Sequence, residues 1–284
     1  SVLNSTIESQ LNNGSNVTIT TYADGNGTEA GDITVNASIT KSNGSDATLT
    51  LLADRSITVS NGVSITSNSS ALNINMAAGN SSNATITLNR ATLSTNGGNI
   101  TLGVANSCNS LSVNITSSTL NTTNSSNGAG NITINATNAT VSNNSCVVYI
   151  NNSTLNAGSV GNITIDGGAT GCGAYGIVVS ASNLTGAYVS VNASAVNKAA
   201  LYLQSGNIFT SGSVSLCGTS TSGVGVQVGG SQKFDISNND SNVVISGCST
   251  KNAGVLIIKG ASINVSCASL KITGAGDRIT PAGK

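Results

Sequence analysis

Six cysteines are the residues of this chain with the most evident chemistry, because pairs of them could form disulfides. They are Cys108, Cys146, Cys172, Cys217, Cys248 and Cys267. No two form a Cys-x-x-Cys pair and the chain has no histidine, so a zinc site is not expected. An even count in a lysine-poor, asparagine-rich chain fits disulfides formed outside the cytosol. Cys217, Cys248 and Cys267 fall about one coil apart, so stacked neighbours could bridge; buried free thiols are the alternative interpretation.

Carboxylates are the second candidate for chemistry, and they are few. Asp24, Glu29 and Asp32 cluster in sequence, and calcium binds several oxygens from flexible loops, so these three are weak calcium candidates. Solvated loop acids are the plainer interpretation. Glycoside cleavage needs acids gathered on neighbouring strands, and histidine-dependent nucleophilic catalysis is excluded by the lack of histidine. The sequence therefore predicts that the chain is not an enzyme and that it has no catalytic residues, no resident metal and no cofactor.

Asn-x-Ser/Thr sequons recur along the chain, and they could accept N-linked glycans. Some copies, such as Asn99-Ile100-Thr101, belong to the strand repeat itself. A chain this rich in Asn, Ser and Thr also forms sequons by chance. Because glycans must point outward, the glycosylation candidates are the loop asparagines Asn13, Asn26, Asn43, Asn68, Asn80, Asn124, Asn143 and Asn239.

The composition of the 284 residues limits both the compartment and the partners. Charged residues make up 7%, aromatics 2%, and the formal net charge is zero. A neutral chain lacks the basic surface that nucleic acid or anionic lipid requires. The apolar runs, such as residues 255–258, are too short to span a bilayer. We expect a secreted or cell-surface protein, with no nucleic-acid partner and no membrane insertion. Because no signal peptide is evident, we expect the sequence to be a mature form or an excised segment.

A short alternating strand is the unit that must position these residues. It appears as Asn16-Val17-Thr18-Ile19-Thr20 and returns as Gly98-Asn99-Ile100-Thr101-Leu102 and Gly161-Asn162-Ile163-Thr164-Ile165. Apolar and hydroxyl residues alternate with period two, so one face of the strand is buried and the other is exposed to solvent. A second short strand often follows, as in Ser153-Thr154-Leu155-Asn156, and no helical stretch is evident. Strand and turn in regular succession predict a solenoid.

The predicted fold is all-β, a right-handed parallel β-helix that forms one continuous solenoid over residues 1–284. A β-sandwich would need strands that follow one another more closely along the sequence and a core richer in aromatic residues. In a solenoid, the small aliphatic residues of one coil pack on the equivalent residues of the next coil. About 24 residues per coil predict about 12 coils and a rod on the order of 55–60 Å. A change of coil type is expected near residue 166, where Gly-Val runs such as Gly223-Val224-Gly225-Val226 begin. Neither end shows a capping helix, so both ends are expected to be open.

Residues 14–67 resemble the repeat region of filamentous-haemagglutinin-type adhesins, which bacteria export by two-partner secretion. The resemblance lies in Asn16–Thr20, Gly31–Ile39, Ala47–Asp54 and Ile57–Val59, and the later Gly-Val coils are similar to the high-molecular-weight branch of that family. It implies an extracellular structural or adhesive module of a bacterial surface adhesin or fibre. The implied partner is a host-cell or neighbouring-cell surface, protein or glycan, or another copy of the chain. The sequence departs from the family in lacking the Asn-Pro-Asn secretion signature and in its six cysteines.

Two alternative functions stay open. An open solenoid end exposes unpaired strand edges, so the chain could be the subunit of a homopolymeric extracellular filament that stacks end to end. A polysaccharide-binding or polysaccharide-degrading β-helix is the second alternative, which the scarcity of acids and the lack of histidine disfavour.

Overall fold

The computed structural model describes residues 1–21, 31–79, 84–105, 111–126, 128–139, 145–171, 173–236, 241–266 and 269–276. In these residues one helix, α1 (Asn4–Asn12), precedes the strands. In chain order the strands are β1 (Val17–Thr20), β2 (Ile33–Val35), β3 (Ile39–Lys41), β4 (Ala47–Ala53), β5 (Ile57–Val59), β6 (Ser64–Ser67), β7 (Leu72–Ala78), β8 (Ile86–Asn89), β9 (Thr92–Ser94), β10 (Ile100–Val104), β11 (Val113–Thr116), β12 (Thr119–Asn121), β13 (Ile132–Ala139), β14 (Cys146–Asn151), β15 (Thr154–Asn156), β16 (Ile163–Ala169), β17 (Tyr175–Gly186), β18 (Val189–Ala195), β19 (Leu201–Thr210), β20 (Val214–Ser220), β21 (Val226–Ile236), β22 (Asn242–Ser249), β23 (Val255–Ile257), β24 (Ser262–Ser266) and β25 (Ser269–Ala275).

The strands stack as coils of a parallel β-solenoid, which confirms the predicted parallel β-helix. Sheet A has the order β1-β4-β7-β10-β13-β16-β18-β20-β22-β25. Sheet B has two rows. One row runs β2-β5-β8-β11-β14-β17 and the other β3-β6-β9-β12-β15-β17, and both continue through β19 and β21 to β23 and β24. Neighbouring coils therefore pair like with like, as Ile132 with Ile163 on β13 and β16.

The predicted count of about 12 coils is too high. Sheet A has ten strands, so at about 4.8 Å per strand the rod is on the order of 45 Å long. The reason is the length of each turn of the solenoid. Leu49 pairs with Ile74, and Ile100 with Ile132, which are 25 and 32 residues apart rather than about 24. Loops between strands take up the additional residues.

Aliphatic side chains fill the interior in columns, where a column is a set of registered residues on successive coils. One such column on sheet A contains six successive residues that are fully buried: Ile100, Ile132, Ile163, Val189, Val214 and Val243. Phe234 is the one aromatic side chain in the buried core of the described residues. Stacked branched aliphatics can close the core without large side chains because each coil packs on a near copy of itself.

A buried serine column stabilises the corner between the two rows of sheet B. The Ser118 N–H donates to Ser153 Oγ at 3.1 Å, and the Ser153 N–H donates to Ser182 Oγ at 3.1 Å. Each hydroxyl also donates to the carbonyl two residues earlier, so these buried groups are paired. The residue before each serine has a left-handed backbone, with φ of 50° at Ser117 and 48° at Asn152.

Left-handed residues with side chains occupy this corner on five coils. They are Arg90, Ser117, Asn152, Ala181 and Ser205. Asparagine adopts this conformation more readily than most other residues with a Cβ, and only one of the five is an asparagine. A left-handed residue with a Cβ costs roughly 1–2 kcal/mol, and the hydrogen bonds to neighbouring coils hold it in place.

The helix α1 covers the N-terminal end of the solenoid, so the expectation of two open ends is wrong here. Leu11 is fully buried in the core. The side chain of Glu8 accepts from the Thr40 N–H at 2.9 Å, and Asn12 Oδ1 accepts from the Ser42 N–H at 2.7 Å. These bonds satisfy backbone groups of the β3 segment, whose edge would otherwise offer unpaired donors. The sequence pattern concealed the helix because it is short and only two of its residues are buried.

At the other end, the last described coil is less covered. Leu270 and Ile272 are registered with the fully buried Val243 and Ile245, yet they are 40% and 41% exposed. Within the described ranges no further coil packs on them.

The coil geometry changes at β17. Up to β15 the two rows of sheet B are separate short strands, whereas β17, β19 and β21 each run through both rows. The turns here are shorter than the two before them: Ile163, Val189 and Val214 follow one another at 26 and 25 residues, whereas Ile100, Ile132 and Ile163 do so at 32 and 31.

Candidate binding surface

One outer column of sheet B changes its chemistry along the rod. It reads Thr34, Thr58, Thr87, Asn114, Tyr149, Val178, Tyr202, Gln227 and Leu256. The first four residues carry hydroxyl or amide groups, and the later ones are mostly aromatic or aliphatic. Because side chains on this column point to the outside of the coil, core packing does not require the change.

Two tyrosines lie side by side on this face. The ring centroids of Tyr175 and Tyr202 are 5.8 Å apart, and the ring planes differ by 25°. Lys198 Nζ lies 5.7 Å from the centroid of the Tyr175 ring, a cation–π distance. Both rings are half-buried, and Val178, which is registered between Tyr149 and Tyr202, is only 7% exposed. We call Tyr149, Tyr175, Val178, Lys198 and Tyr202 the tyrosine patch.

A glycine on the next coil allows the Tyr202 ring to lie against the sheet. A Cβ placed on Gly229 would be 3.0 Å from Tyr202 Oη and 3.2 Å from its Cε2, closer than a side chain tolerates without displacement of the ring. The ring therefore covers the backbone of Gly229, reaching toward Ile258, whose Cδ1 would be 3.3 Å from that Cβ.

Polar groups without partners surround the patch. The side-chain amides of Gln204 and Gln227 make no hydrogen bond to any described residue, and the Lys198 ammonium has no carboxylate partner among them. An exposed apolar patch that is bordered by polar residues is a candidate interaction site. The sequence pattern does not reveal the patch because its members come from four segments that only the coil register brings together.

The sequon asparagines Asn99, Asn131 and Asn162, together with Asn73, which is not in a sequon, have a structural role at sheet A. Asn73 Oδ1 accepts from the Asn99 N–H at 2.9 Å, Asn99 Oδ1 from the Asn131 N–H at 2.8 Å, and Asn131 Oδ1 from the Asn162 N–H at 2.8 Å. This asparagine ladder joins successive coils at the start of the strands. Repetition of Asn-Ile-Thr therefore follows from coil stacking.

The predicted glycosylation candidates fall into three groups. Asn13, Asn43 and Asn68 are exposed. Asn124 is half-buried, and its Oδ1 accepts from the N–H groups of Ser126 and Gly128 at 2.9 and 2.8 Å, so it holds a turn. The other four lie outside the described residues, and glycosylation remains a prediction: Asn26, Asn80, Asn143 and Asn239.

The three described cysteines are free thiols. Cys217 is registered with Ser246 and Cys248 with Thr219, so the two cysteines are offset by two residues on neighbouring strands. That offset separates their Cα atoms by about 8 Å, beyond the about 7 Å that a disulfide spans, and the bridge predicted between them is not formed. Burial raises the pKa of the Cys146 thiol to about 12, so it is unreactive. Cys108, Cys172 and Cys267 lie outside the described residues.

The carboxylates are dispersed. Asp32 pairs with Arg55, whose Nε donates to Asp32 Oδ1 at 2.8 Å, and this hydrogen bond lowers the pKa of Asp32. Asp24 and Glu29, the other calcium candidates, lie outside the described residues. Across the residues that the structure describes, no group of three or more acidic or cysteine side chains could hold a metal ion. A shallow trough of about 450 Å³ on sheet A contains one acid, Asp166, which accepts from Asn192 Nδ2 at 2.9 Å.

Lys41 is a buried cation that the sequence did not single out. Its Nζ donates to the carbonyl of Asn43 at 2.6 Å and to Ser70 Oγ at 2.6 Å, with weaker bonds to the Gly44 carbonyl and Ser69 Oγ. Burial lowers the pKa of Lys41, and the charge of Asp46 partly opposes that shift. The four bonds join one corner of the first coil to the next, which is a structural role.

Comparison with protein-family models, with curated proteins and with solved structures found no match to this chain. The resemblance to filamentous-haemagglutinin-type adhesins therefore remains a prediction from the repeats. Among the described residues, no helix has the length and apolar character needed to cross a membrane.

Proposed function

We propose that this chain is an extracellular structural and adhesive module, a β-solenoid rod of a bacterial surface adhesin or fibre. The observation that supports the proposal most directly is that inward and outward side chains have different roles in each coil. The inward columns are almost entirely aliphatic and continuous, whereas the outward columns change along the rod without disturbing the core. A rod of this kind can present a binding face at a fixed distance from its point of attachment.

The surface chemistry supports an extracellular setting. With 7% charged residues, solubility rests on hydroxyl and amide groups, and on sheet A these form ladders between coils. We further propose that the chain is not an enzyme, because its described acids are separated and engaged with Arg55, Asn192 or Lys233 and with backbone groups.

The test is adhesion of beads coated with the purified chain to bacterial and animal cells. We expect saturable attachment that soluble chain inhibits. Beads coated with an unrelated, equally uncharged β-protein are the control. Equal attachment of both kinds of bead would contradict the adhesive role.

End-to-end polymerisation is the second candidate, and α1 weighs against it. The helix covers the core and the β3 edge at the N-terminal end, so a second copy could not extend the sheets there without displacing it. We therefore expect the intact chain to sediment as short rods. Leu11→Asp should release α1 and lead to association, because it exposes an open edge. Filaments of the unaltered chain in electron micrographs would favour the polymer instead.

A further inference from the structure

The tyrosine patch is the one described part of the outer surface where aromatic rings gather. In residues 17–139 the described chain contains no aromatic side chain, whereas Tyr149, Tyr175 and Tyr202 lie within three successive coils. Tyrosine is enriched at the energetic centres of binding sites because it offers a large rigid surface with a polar end. The concentration of rings on one face is therefore a feature that the fold does not demand.

We propose, building on the adhesive function above, that the tyrosine patch binds a carboxylated sugar residue of an extracellular polysaccharide. The Tyr202 ring lies against Gly229 and is only half-buried, so part of its surface is open to a ligand. The negative face of an aromatic ring attracts the partly positive C–H hydrogens on the apolar face of a sugar. The free amides of Gln204, two residues along the same strand, and of Gln227, registered with Tyr202 on the next coil, can bond sugar hydroxyls beside that ring.

The charge of the patch selects the kind of sugar. Lys198 lies over the Tyr175 ring and has no carboxylate partner among the described residues. Asp235, the one acid within β17, β19 and β21, is already paired with Lys233 at 2.9 Å. A cation that is held in place but not neutralised favours an anionic ligand, and a sugar carboxylate supplies one without the high charge density of a nucleic acid.

The arrangement of the rings favours a chain of sugars over a free monosaccharide. Tyr149, Val178 and Tyr202 follow one another along the rod axis, one coil apart. A polysaccharide that lies along this column would contact successive coils, whereas a monosaccharide would contact only one.

The experiment is calorimetric titration of the whole chain with tri-galacturonic acid, with its neutral methyl ester, and with monomeric galacturonic acid. We expect the trimer to bind in roughly the millimolar to micromolar range and the ester and the monomer several-fold more weakly. Tyr202→Ala should weaken trimer binding about tenfold. Lys198→Gln should remove the preference for the acid over the ester while leaving the ester unchanged.

Two further variants separate the patch from a general effect of tyrosine. Tyr188, 39% exposed and ahead of β18 on the sheet A side, gives the matched control, and Tyr188→Ala should bind as the unaltered chain does. Gly229→Ala keeps every patch residue but displaces the Tyr202 ring, so it should weaken binding as well. Circular dichroism checks that each variant is folded.

Several outcomes would overturn the inference. They are the absence of saturable binding, equal affinity for acid and ester, or loss of binding in Tyr188→Ala to the same degree as in Tyr202→Ala. Self-association that Tyr202→Ala abolishes would make the patch an interface between two copies. Cell adhesion without sugar binding would contradict sugar binding by the patch and leave the proposed adhesive function intact. Sugar binding without cell adhesion would contradict the adhesive function and leave sugar binding by the patch intact.

Discussion

The N-terminal coils, residues 17–139, and the C-terminal coils, residues 145–276, share one core and differ in their surface. On sheet A, Leu102 and Leu216 belong to one fully buried column that runs through both regions. On sheet B, the outer column changes from Thr87 and Asn114 to Tyr149 and Tyr202. Inward positions are thus held constant by stacking, while outward positions are free to acquire binding chemistry.

The two regions also differ in how their corners are stabilised. Lys41 joins the first two N-terminal coils at one corner, whereas the serine column crosses the boundary, with Ser118 in the N-terminal coils and Ser153 and Ser182 in the C-terminal coils. From β17 onward the strands of sheet B run through the corner. Longer strands place the tyrosines on a more continuous sheet, which suits a binding face.

The largest expected effect tests whether the core is one unit. Leu102→Ala and Leu216→Ala each remove a fully buried side chain from the same column, and each should lower the free energy of unfolding by about 2–5 kcal/mol. Urea denaturation followed by circular dichroism measures the loss. A single transition that shifts equally in both variants would support a continuous core. Two transitions, with each variant shifting only one, would show that the regions unfold separately.

A smaller effect is expected at the serine column. Ser153→Ala leaves the Ser118 N–H without its acceptor in a buried corner, which should cost about 1–3 kcal/mol. Ser215→Ala, on the outer face of sheet A, is the matched control and should change stability by less than about 0.5 kcal/mol. Equal stability of the two variants would show that the column does not stabilise the corner at which the two regions meet.

A pH effect should distinguish the first coils from the rest. Because burial lowers the pKa of Lys41 in the folded chain, the unfolded chain binds its proton more strongly, and stability should rise as the pH approaches the ordinary lysine value of 10.5. Lys41→Met should remove this rise. Urea denaturation at pH 8 and pH 10 gives the comparison, and Lys198→Met is the control from the C-terminal coils. A rise that persists in Lys41→Met would place its origin elsewhere.

The smallest effect concerns the ion pair of Asp32 and Arg55. The pKa of Asp32 is lowered in the folded chain, so its contribution is present above the ordinary value of 3.8 and is lost as the pH falls through the folded pKa. Both side chains are about two-fifths exposed, and Asp32→Asn should cost no more than about 1 kcal/mol at pH 7. Thermal unfolding at pH 7 and pH 3 measures it. A larger loss at pH 3 than at pH 7 would contradict the assigned sign.

The sequence by itself determined the solenoid. The alternation in Asn99–Leu102 and Asn162–Ile165 fixes which side chains face inward, and the scarcity of aromatics excludes a core made of large rings. Only the tertiary structure decided which residues share a column. The register of the coils depends on loops of unequal length. In the folded chain Tyr175 lies beside Tyr202, Cys217 lies apart from Cys248, and α1 lies over the first coil. The alternating pattern of side chains is a property of each strand alone. The register between two strands depends on the length of every loop that lies between them.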